Sequence, residues 1–254
     1  MSHHTLEGRT DNELLWFQRR TTLQAAAAWV ATGGWTAAQA QRRRNIVELE
    51  GDTLINGQPL RPQATIQTGD VLETGPKSRL IFVIGNSSFH VRQNSRMAVE
   101  RGDTLNTVSL LRLLTGAVVS VFGRGGNRLI STPTLTAGIR GTGVYTEVMP
   151  DLRTYFCNCY GTVELETRGE QLVSTSNYHQ SYWGEVQPDQ GGRVITPAGA
   201  INHTDEELEF LAGLINQRTA WQIAGRRGVK DGRGHMDSAP GVLHPAAVPK
   251  SDAR

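Results

Sequence analysis

Residues 131–148 read S-T-P-T-L-T-A-G-I-R-G-T-G-V-Y-T-E-V and contain Gly138, Gly141 and Gly143. A dinucleotide-binding loop needs the order G-x-G-x-x-G between a strand and a helix, whereas this stretch has G-x-x-G-x-G. The residues after Gly143 alternate and are partly β-branched, so no helix N-terminus follows that could hold an anion. A Walker loop is excluded because Gly-Lys-Ser/Thr is absent. The glycines therefore predict a bulge or tight corner within β structure.

The sequence on both sides of this stretch, from residue 46 to about residue 195, consists of short alternating runs separated by turn residues. This pattern is typical of an antiparallel β-meander. Asn56-Gly57 predicts a two-residue hairpin, since a type I′ turn needs positive φ at both central residues. Two more hairpins are expected, from 79–84 with 88–92 and from 107–114 with 116–122. No helical period separates the runs, so we expect an all-β fold, an antiparallel sandwich or roll.

The pattern changes after residue 200. Thr204 and Glu207 occupy capping-box positions, and apolar residues then recur on one face, so one helix is expected over about 205–224. The residues after it are rich in Gly, Pro and charge, and they cannot bury enough apolar surface to offset their ordering entropy. The expected units are a signal peptide (1–40), a β domain (46–200), a C-terminal helix that packs on it (201–225) and a disordered tail (226–254).

The first forty residues have the layout of an export signal. Arg19 and Arg20 resemble the twin-arginine motif, a mildly apolar run of residues 21–35 follows, and A-Q-A ends at Ala40. We expect twin-arginine export, cleavage after Ala40 and a periplasmic mature protein; the alternative is an amphipathic N-terminal helix of a cytoplasmic protein. No later stretch approaches the roughly 18–20 apolar residues of a spanning helix, so the mature chain is not expected to cross the membrane.

Composition and motifs narrow the classes of function. The formal net charge is only +2 over 254 residues, which does not indicate nucleic-acid binding. The sequence has no G-x-S-x-G nucleophile elbow and no H-E-x-x-H zinc motif, and both motifs mark well-known hydrolytic sites. We therefore expect a protein without enzymatic activity.

Cys157 and Cys159, the two cysteines of the chain, lie in R-T-Y-F-C-N-C-Y-G. In a regular strand, residues i and i+2 share a face about 6.6–6.8 Å apart, whereas disulfide Cβ atoms lie about 3.5–4.5 Å apart. Three states stay open: two reduced thiols, a strained and redox-active disulfide, or a soft-metal site using both sulfurs. His179 is the best candidate for a third ligand, and His90 is the second.

Several short motifs together resemble the FecR domain family. Its T-P, apolar residues, G-x-R-G-T and alternating strand occur at 132–148, and the signature residues are Gly138, Arg140, Gly141 and Thr142. Upstream, G-D-T-L-I-N-G-Q-P-L, T-G-D-V-L-E-T-G-P-K-S-R-L-I-F, N-S-R-M and L-L-T-G-A-V-V-S-V follow in the family's order. The resemblance covers residues 46–166.

The resemblance implies a β domain without an active site or cofactor, in which the signature residues are structural. The family's name-bearing members are membrane-spanning regulators that act on a sigma factor and sense an outer-membrane iron-siderophore transporter. This sequence shows neither the spanning helix nor the sigma-binding segment, so we expect an exported binding or scaffold module in envelope sensing, whose partner is an envelope protein or ligand. The alternative is a thiol-redox or soft-metal-handling protein that uses Cys157 and Cys159.

Overall fold

The computed structural model describes residues 44–102, 107–234 and 236. Within these residues fifteen strands join in one sheet, and two helices lie near the C-terminal end. The prediction of an all-β fold with a C-terminal helical segment is confirmed. The predicted signal peptide, with Arg19, Arg20 and the cleavage position after Ala40, lies outside the described residues, as do residues 237–254 of the predicted tail.

The strands are β1 (Ile46–Glu50), β2 (Thr53–Ile55), β3 (Gln58–Pro59), β4 (Val71–Thr74), β5 (Arg79–Ile84), β6 (Ser87–Val91), β7 (Arg96–Arg101), β8 (Val108–Phe122), β9 (Arg128–Ser131), β10 (Thr136–Val148), β11 (Thr154–Glu166), β12 (Gln171–Ser176), β13 (Tyr178–Gly184), β14 (Ile195–Ala198) and β15 (Arg233–Gly234). The helices are α1 (Asp205–Leu214) and α2 (Ala220–Ala224).

The strand order along the sheet is β14-β13-β11-β10-β9-β8-β7-β4-β2-β3, and a branch of β1, β5 and β6 joins at β8. Neighbours are antiparallel except β8 and β9, which run parallel. Both faces of the central strands are buried, as β5 shows: Phe82 belongs to one apolar cluster, while Ile81 and Val83 belong to the other. Helices α1 and α2 cover the second cluster through Leu208 and Trp221, among others. The alternation of side chains along each strand thus builds two cores on one sheet.

The first two predicted hairpins are confirmed. Asn56 and Gly57 both have positive φ, and β5 pairs with β6 across Gly85-Asn86. The third hairpin is wrong, because β8 is one continuous strand from Val108 to Phe122. Gly116 has a φ of 75° and lies beside a shift in register against β7, where any Cβ would clash with Ser95. This glycine therefore makes a bulge inside the strand instead of a turn.

The glycines of residues 138–143 lie in β10, which pairs with β11 over nearly its whole length. Register shifts occur on both sides of Gly143, and Gly141 has a φ of 62°. A Cβ on Gly143 would run into the ring of Tyr160. At Gly138 a Cβ would meet only ordinary contacts, 3.6 Å from Glu164. The predicted bulge is confirmed, and Gly141 and Gly143 are the positions that need glycine.

The predicted single helix is present as two pieces. Helix α1 starts at the predicted capping box of Thr204 and Glu207 and is followed by Asn216, which has a φ of 56°. Thr219 then starts α2 with a second capping box, which T-A-W-Q encodes. The predicted start of the disordered tail at residue 226 is also too early, because the β15 residues Arg233–Gly234 pair with β13. No helix within the described part of the chain is long and apolar enough to span a membrane.

Candidate metal centre

Four metal-ligating side chains converge beneath the C-terminal segment. They are Cys157 and Cys159 on β11, His179 on β13 and His203 in the loop that precedes α1. Their ligand atoms all lie within 4.8 Å of one another, and each residue is at most 1% exposed. The first three are candidates from the sequence, whereas His203 is not.

The β pairing explains why three of these side chains share one face. Cys157 and Cys159 are two residues apart on β11, so both side chains point to the same side of the sheet. Asn158 is paired with Gln180 in the antiparallel register of β11 and β13. His179 directly precedes Gln180, and its Nδ1 lies 3.7 Å from Cys157 Sγ. The imidazole therefore projects from the same face as the two thiols.

His179 also has an unusual backbone. Its φ is 49°, and the register between β13 and β15 shifts between Tyr178 and Gln180. A non-glycine residue in the left-handed region costs roughly 1–3 kcal/mol, and such residues concentrate at functional sites. The strained bulge lies at the residue whose ring faces the two thiols.

The distances match a tetrahedral metal site. Cys157 Sγ lies 3.6 Å from Cys159 Sγ and 3.7 Å from His179 Nδ1, and His179 Nδ1 lies 2.9 Å from His203 Nε2. Around a zinc ion with ordinary bond lengths, tetrahedral edges are about 3.8 Å for S–S, 3.6 Å for S–N and 3.3 Å for N–N. These three edges are within about half an ångström of the tetrahedral values, and all four donor atoms lie within 4.8 Å of one another.

The outer nitrogens of both imidazoles have hydrogen-bond acceptors. His179 Nε2 is 2.9 Å from the Asp205 carboxylate, and His203 Nδ1 is 2.5 Å from the Ile201 carbonyl. These acceptors assign the N–H to the outer nitrogen of each ring, which leaves His179 Nδ1 and His203 Nε2 as facing lone pairs. Two facing lone pairs repel each other unless a metal ion or a shared proton lies between them. A carboxylate or carbonyl behind a histidine is the usual second shell of a metal ligand.

Charged groups lie behind the ligands. The Lys230 ammonium is 2.7 Å from the His203 carbonyl and 3.4 Å from Asp205, and Arg227 lies 3.3 Å from the same carboxylate. Burial alone would raise the pKa of Asp205, but the hydrogen bond from His179 and the charge of Lys230 outweigh it and hold that pKa far below its usual range. Asp205 is therefore a carboxylate that orients the His179 ring.

The ligand side chains themselves differ in protonation. Burial lowers the pKa of His203, which favours the neutral imidazole that binds metals. Burial opposes ionisation of Cys157, yet the hydrogen bond from the Cys159 thiol lowers the pKa of Cys157 well below its usual value. Burial and the neighbouring Cys157 raise the pKa of Cys159. These opposite shifts make Cys157 the first of the two thiols to ionise.

Comparison with known proteins gives little guidance. No family model matches the sequence, and no curated protein matches it. Two crystal structures from Parabacteroides distasonis ATCC 8503, each described as a "putative anti-sigma factor", share 10% and 12% identity with this chain, with TM-scores of 0.41 and 0.42. Each match covers 50% of this chain and 58% of the other, so this chain spans less than two thirds of either structure. Likeness at this level carries no argument about family or function.

Aromatic rings enclose the centre. Tyr145 stacks on His203 with centroids 4.8 Å apart, and Trp221 stacks on His179 at 5.2 Å. Tyr178 packs edge-on against His179 and donates a hydrogen bond to Asp205. This packing fixes both imidazole planes and keeps water from the ligands. Four protein donors in a closed site are typical of a structural metal centre, whereas a catalytic zinc keeps a position for water or substrate.

The remaining sequence candidates lie elsewhere. His90, the second candidate for a third ligand, is 3.2 Å from Glu207 and is not one of the four converging residues. Arg140 is exposed and Thr142 is buried on β10, where they belong to the sheet.

His203 directly precedes Thr204, the N-cap of α1, so the capping motif predicts that His203 lies just before the helix. Its proximity to the cysteines depends on how α1 docks, which the sequence does not encode locally.

Proposed function

We propose that this protein is a non-enzymatic β module stabilised by one zinc ion, which Cys157, Cys159, His179 and His203 hold. The observation that carries the proposal is the convergence of four buried donor atoms within 4.8 Å of one another. Two thiolates and two imidazoles are a common ligand set of structural zinc. The soft-metal alternative of the sequence argument is therefore extended by a fourth ligand and given a structural role.

Charge favours zinc over copper(I). Two thiolates cancel the double charge of Zn²⁺, and the imidazoles are neutral, so the occupied centre carries no net charge. Copper(I) with the same ligands would leave one negative charge in a fully buried site, which is costly. Four ligands at tetrahedral spacing also suit zinc, which has no other geometric preference.

The position of the centre suggests what the ion does. Its ligands come from β11, β13 and the loop before α1, and Lys230 connects the following segment to the His203 carbonyl. An ion bound there ties the C-terminal helical segment to the sheet. With all four ligands buried, the site offers no approach for a substrate, which supports a role in folding over a role in catalysis.

The wider role is an exported binding or scaffold module of the cell envelope, with an envelope protein or ligand as its partner. The features that support this part are the motif series shared with the FecR domain family at residues 46–166 and the export-type pattern of residues 1–40. Twin-arginine export carries folded proteins, so a metal-loaded module is compatible with that route.

Metal analysis of the purified protein tests the zinc proposal. Elemental analysis and native mass spectrometry should give one zinc per chain in the wild type and in His90→Gln, which removes a buried histidine outside the ligand set. Cys159→Ser and His203→Ala should fall well below one zinc. Absence of stoichiometric zinc after reconstitution with reduced thiols would contradict the proposal. A reversible loss of two mass units without metal would favour the thiol-redox alternative instead.

A further inference from the structure

A pocket of about 360 Å³ lies beside the metal centre, at the end of the sheet where β10 turns into β11. Its volume falls at the lower end of the range of small-molecule sites. Its polar lining includes Arg92, Tyr145, Glu147 and Asn202, together with Gln93, Asn94 and Thr115. None of these residues is a metal ligand, so the pocket is a separate feature that shares a wall with the centre.

Glu147 is the charge in this pocket that lacks a counter-ion. Its Oε2 accepts hydrogen bonds from the Tyr145 hydroxyl at 2.7 Å and the Asn202 amide at 2.8 Å. Glu147 forms no ion pair with any residue in 44–102, 107–234 or 236. A carboxylate in a pocket without a cation favours a positively charged occupant.

Asn202 adds an unused acceptor. The residue is 6% exposed, and its Oδ1 has no hydrogen-bond partner among the residues that the structure describes. Its amide nitrogen donates to Glu147, so the oxygen cannot exchange places with it without facing a carboxylate. A buried acceptor without a donor costs roughly 1–3 kcal/mol. Because this oxygen is enclosed by the protein, Asn202 serves the pocket through its amide nitrogen, which holds the Glu147 carboxylate in place.

Arg92 does not supply the missing cation. Its guanidinium is 2.5 Å from the fully buried Glu207 carboxylate and 5.2 Å from the centre of the Tyr145 ring. Arg92 and Glu207 therefore neutralise each other. Since Arg92 and Glu147 are the charged residues of the lining, the pocket keeps one uncompensated negative charge.

The outer part of the pocket is apolar. Leu114 and Leu152 lie at its rim and are 41% and 53% exposed, and Val148, Met149 and Pro150 also line it. Large aliphatic side chains exposed around a polar floor are typical of a binding site for a ligand with one polar end.

We propose that this pocket binds an organic cation, an ammonium or guanidinium group on a short apolar chain. The N–H groups donate to the Glu147 carboxylate, and the apolar chain packs against Leu114 and Leu152. The same chemistry is found in a free amine and in a lysine or arginine side chain of a polypeptide. This binding activity goes beyond the zinc centre and does not depend on it, because no ligand of the metal contributes to the pocket lining.

The test is a titration of ¹⁵N-labelled, zinc-saturated protein, followed by NMR shifts, in phosphate buffer because Tris is itself a primary amine. The probes are n-butylammonium and n-butylguanidinium, with butanoate and butanol as matched anionic and neutral probes. We expect saturable shifts at the pocket residues with the two cations only. Glu147→Gln should weaken cation binding by about tenfold or more, whereas Glu166→Gln, at the far end of β11, should leave it unchanged.

Leu114→Lys provides a second variant, which leaves the Glu147 hydrogen bonds in place. It adds a competing cation at the exposed rim of the pocket. It should also weaken binding of the cations. Tighter binding of N-acetyl-lysine-methylamide than of butylammonium would identify a polypeptide side chain as the ligand, and the reverse order would identify a free amine. Failure of both cations to saturate, equal binding of butanoate, or undiminished binding in both variants would overturn the proposal.

Discussion

The zinc centre makes the stability of this protein depend on the concentration of free zinc. An ion that binds only the folded state adds RT ln(1 + [Zn]/Kd) to the free energy of unfolding. At a free zinc concentration of 100 times Kd the gain is about 2.7 kcal/mol. A domain of this size shifts in Tm by about 2–4 °C per kcal/mol, so removal of the ion should lower Tm by roughly 5–11 °C.

The structure supports a cost of this size for the metal-free state. Removal of the ion leaves His179 Nδ1 and His203 Nε2 facing each other at 2.9 Å, with two thiols 3.6 Å apart in a site that water does not reach. Without the ion these groups keep the weak hydrogen bond between the two thiols and the contact between the two imidazoles in place of four metal bonds.

The assay is urea unfolding, followed by circular dichroism, in buffers that fix free zinc over several orders of magnitude. Above Kd, each tenfold increase in free zinc should add about 1.4 kcal/mol to the free energy of unfolding. His203→Ala should abolish this dependence, and His90→Gln should retain it even if its overall stability is lower. A wild-type free energy of unfolding that stays constant over the whole zinc range would refute the reasoning.

Three further predictions concern other parts of the chain. Gly143→Ala should lower the free energy of unfolding by about 1–3 kcal/mol, because a Cβ there would overlap a buried tyrosine ring, whereas Gly138→Ala should change it little; urea titrations compare the two. Cobalt(II) binding should quench the fluorescence of Trp221, which stacks on a ligand imidazole, and unchanged emission at full occupancy would contradict the site. Replacement of both Arg19 and Arg20 by lysine should leave uncleaved precursor in the cytoplasm, and fractionation with immunoblotting would detect it.

Local patterns predicted most of the fold. A hairpin such as the one at Asn56-Gly57 is encoded by its own turn residues. The start of α1 is likewise encoded by the nearby capping residues Thr204 and Glu207. Gly116 was misinterpreted because a glycine with positive φ serves equally in a turn and in a bulge. The pairing of β8 with β7 decides between a turn and a bulge at Gly116, and β7 is not adjacent to this glycine in the sequence.

The site was predictable only in part, for the same reason. Strand alternation places Cys157 and Cys159 on one face, so their joint use as ligands follows from sequence. The β11–β13 register that brings in His179 is a non-local pairing. His203 reaches the site only through the docking of α1, and nothing near it in the sequence resembles a metal motif. The pocket beside Glu147 likewise joins residues from the β6–β7 loop, β8, β10, the β10–β11 loop and the loop before α1.

The origin of the ligands in three chain segments has a kinetic consequence. The complete centre requires β11 and β13 to be paired and α1 to be docked, so we expect it to form late in folding. Interactions that are absent from the folding transition state leave the folding rate nearly unchanged and slow unfolding instead. Zinc would therefore extend the lifetime of the folded protein against unfolding-limited proteolysis, and would do little to hasten its formation.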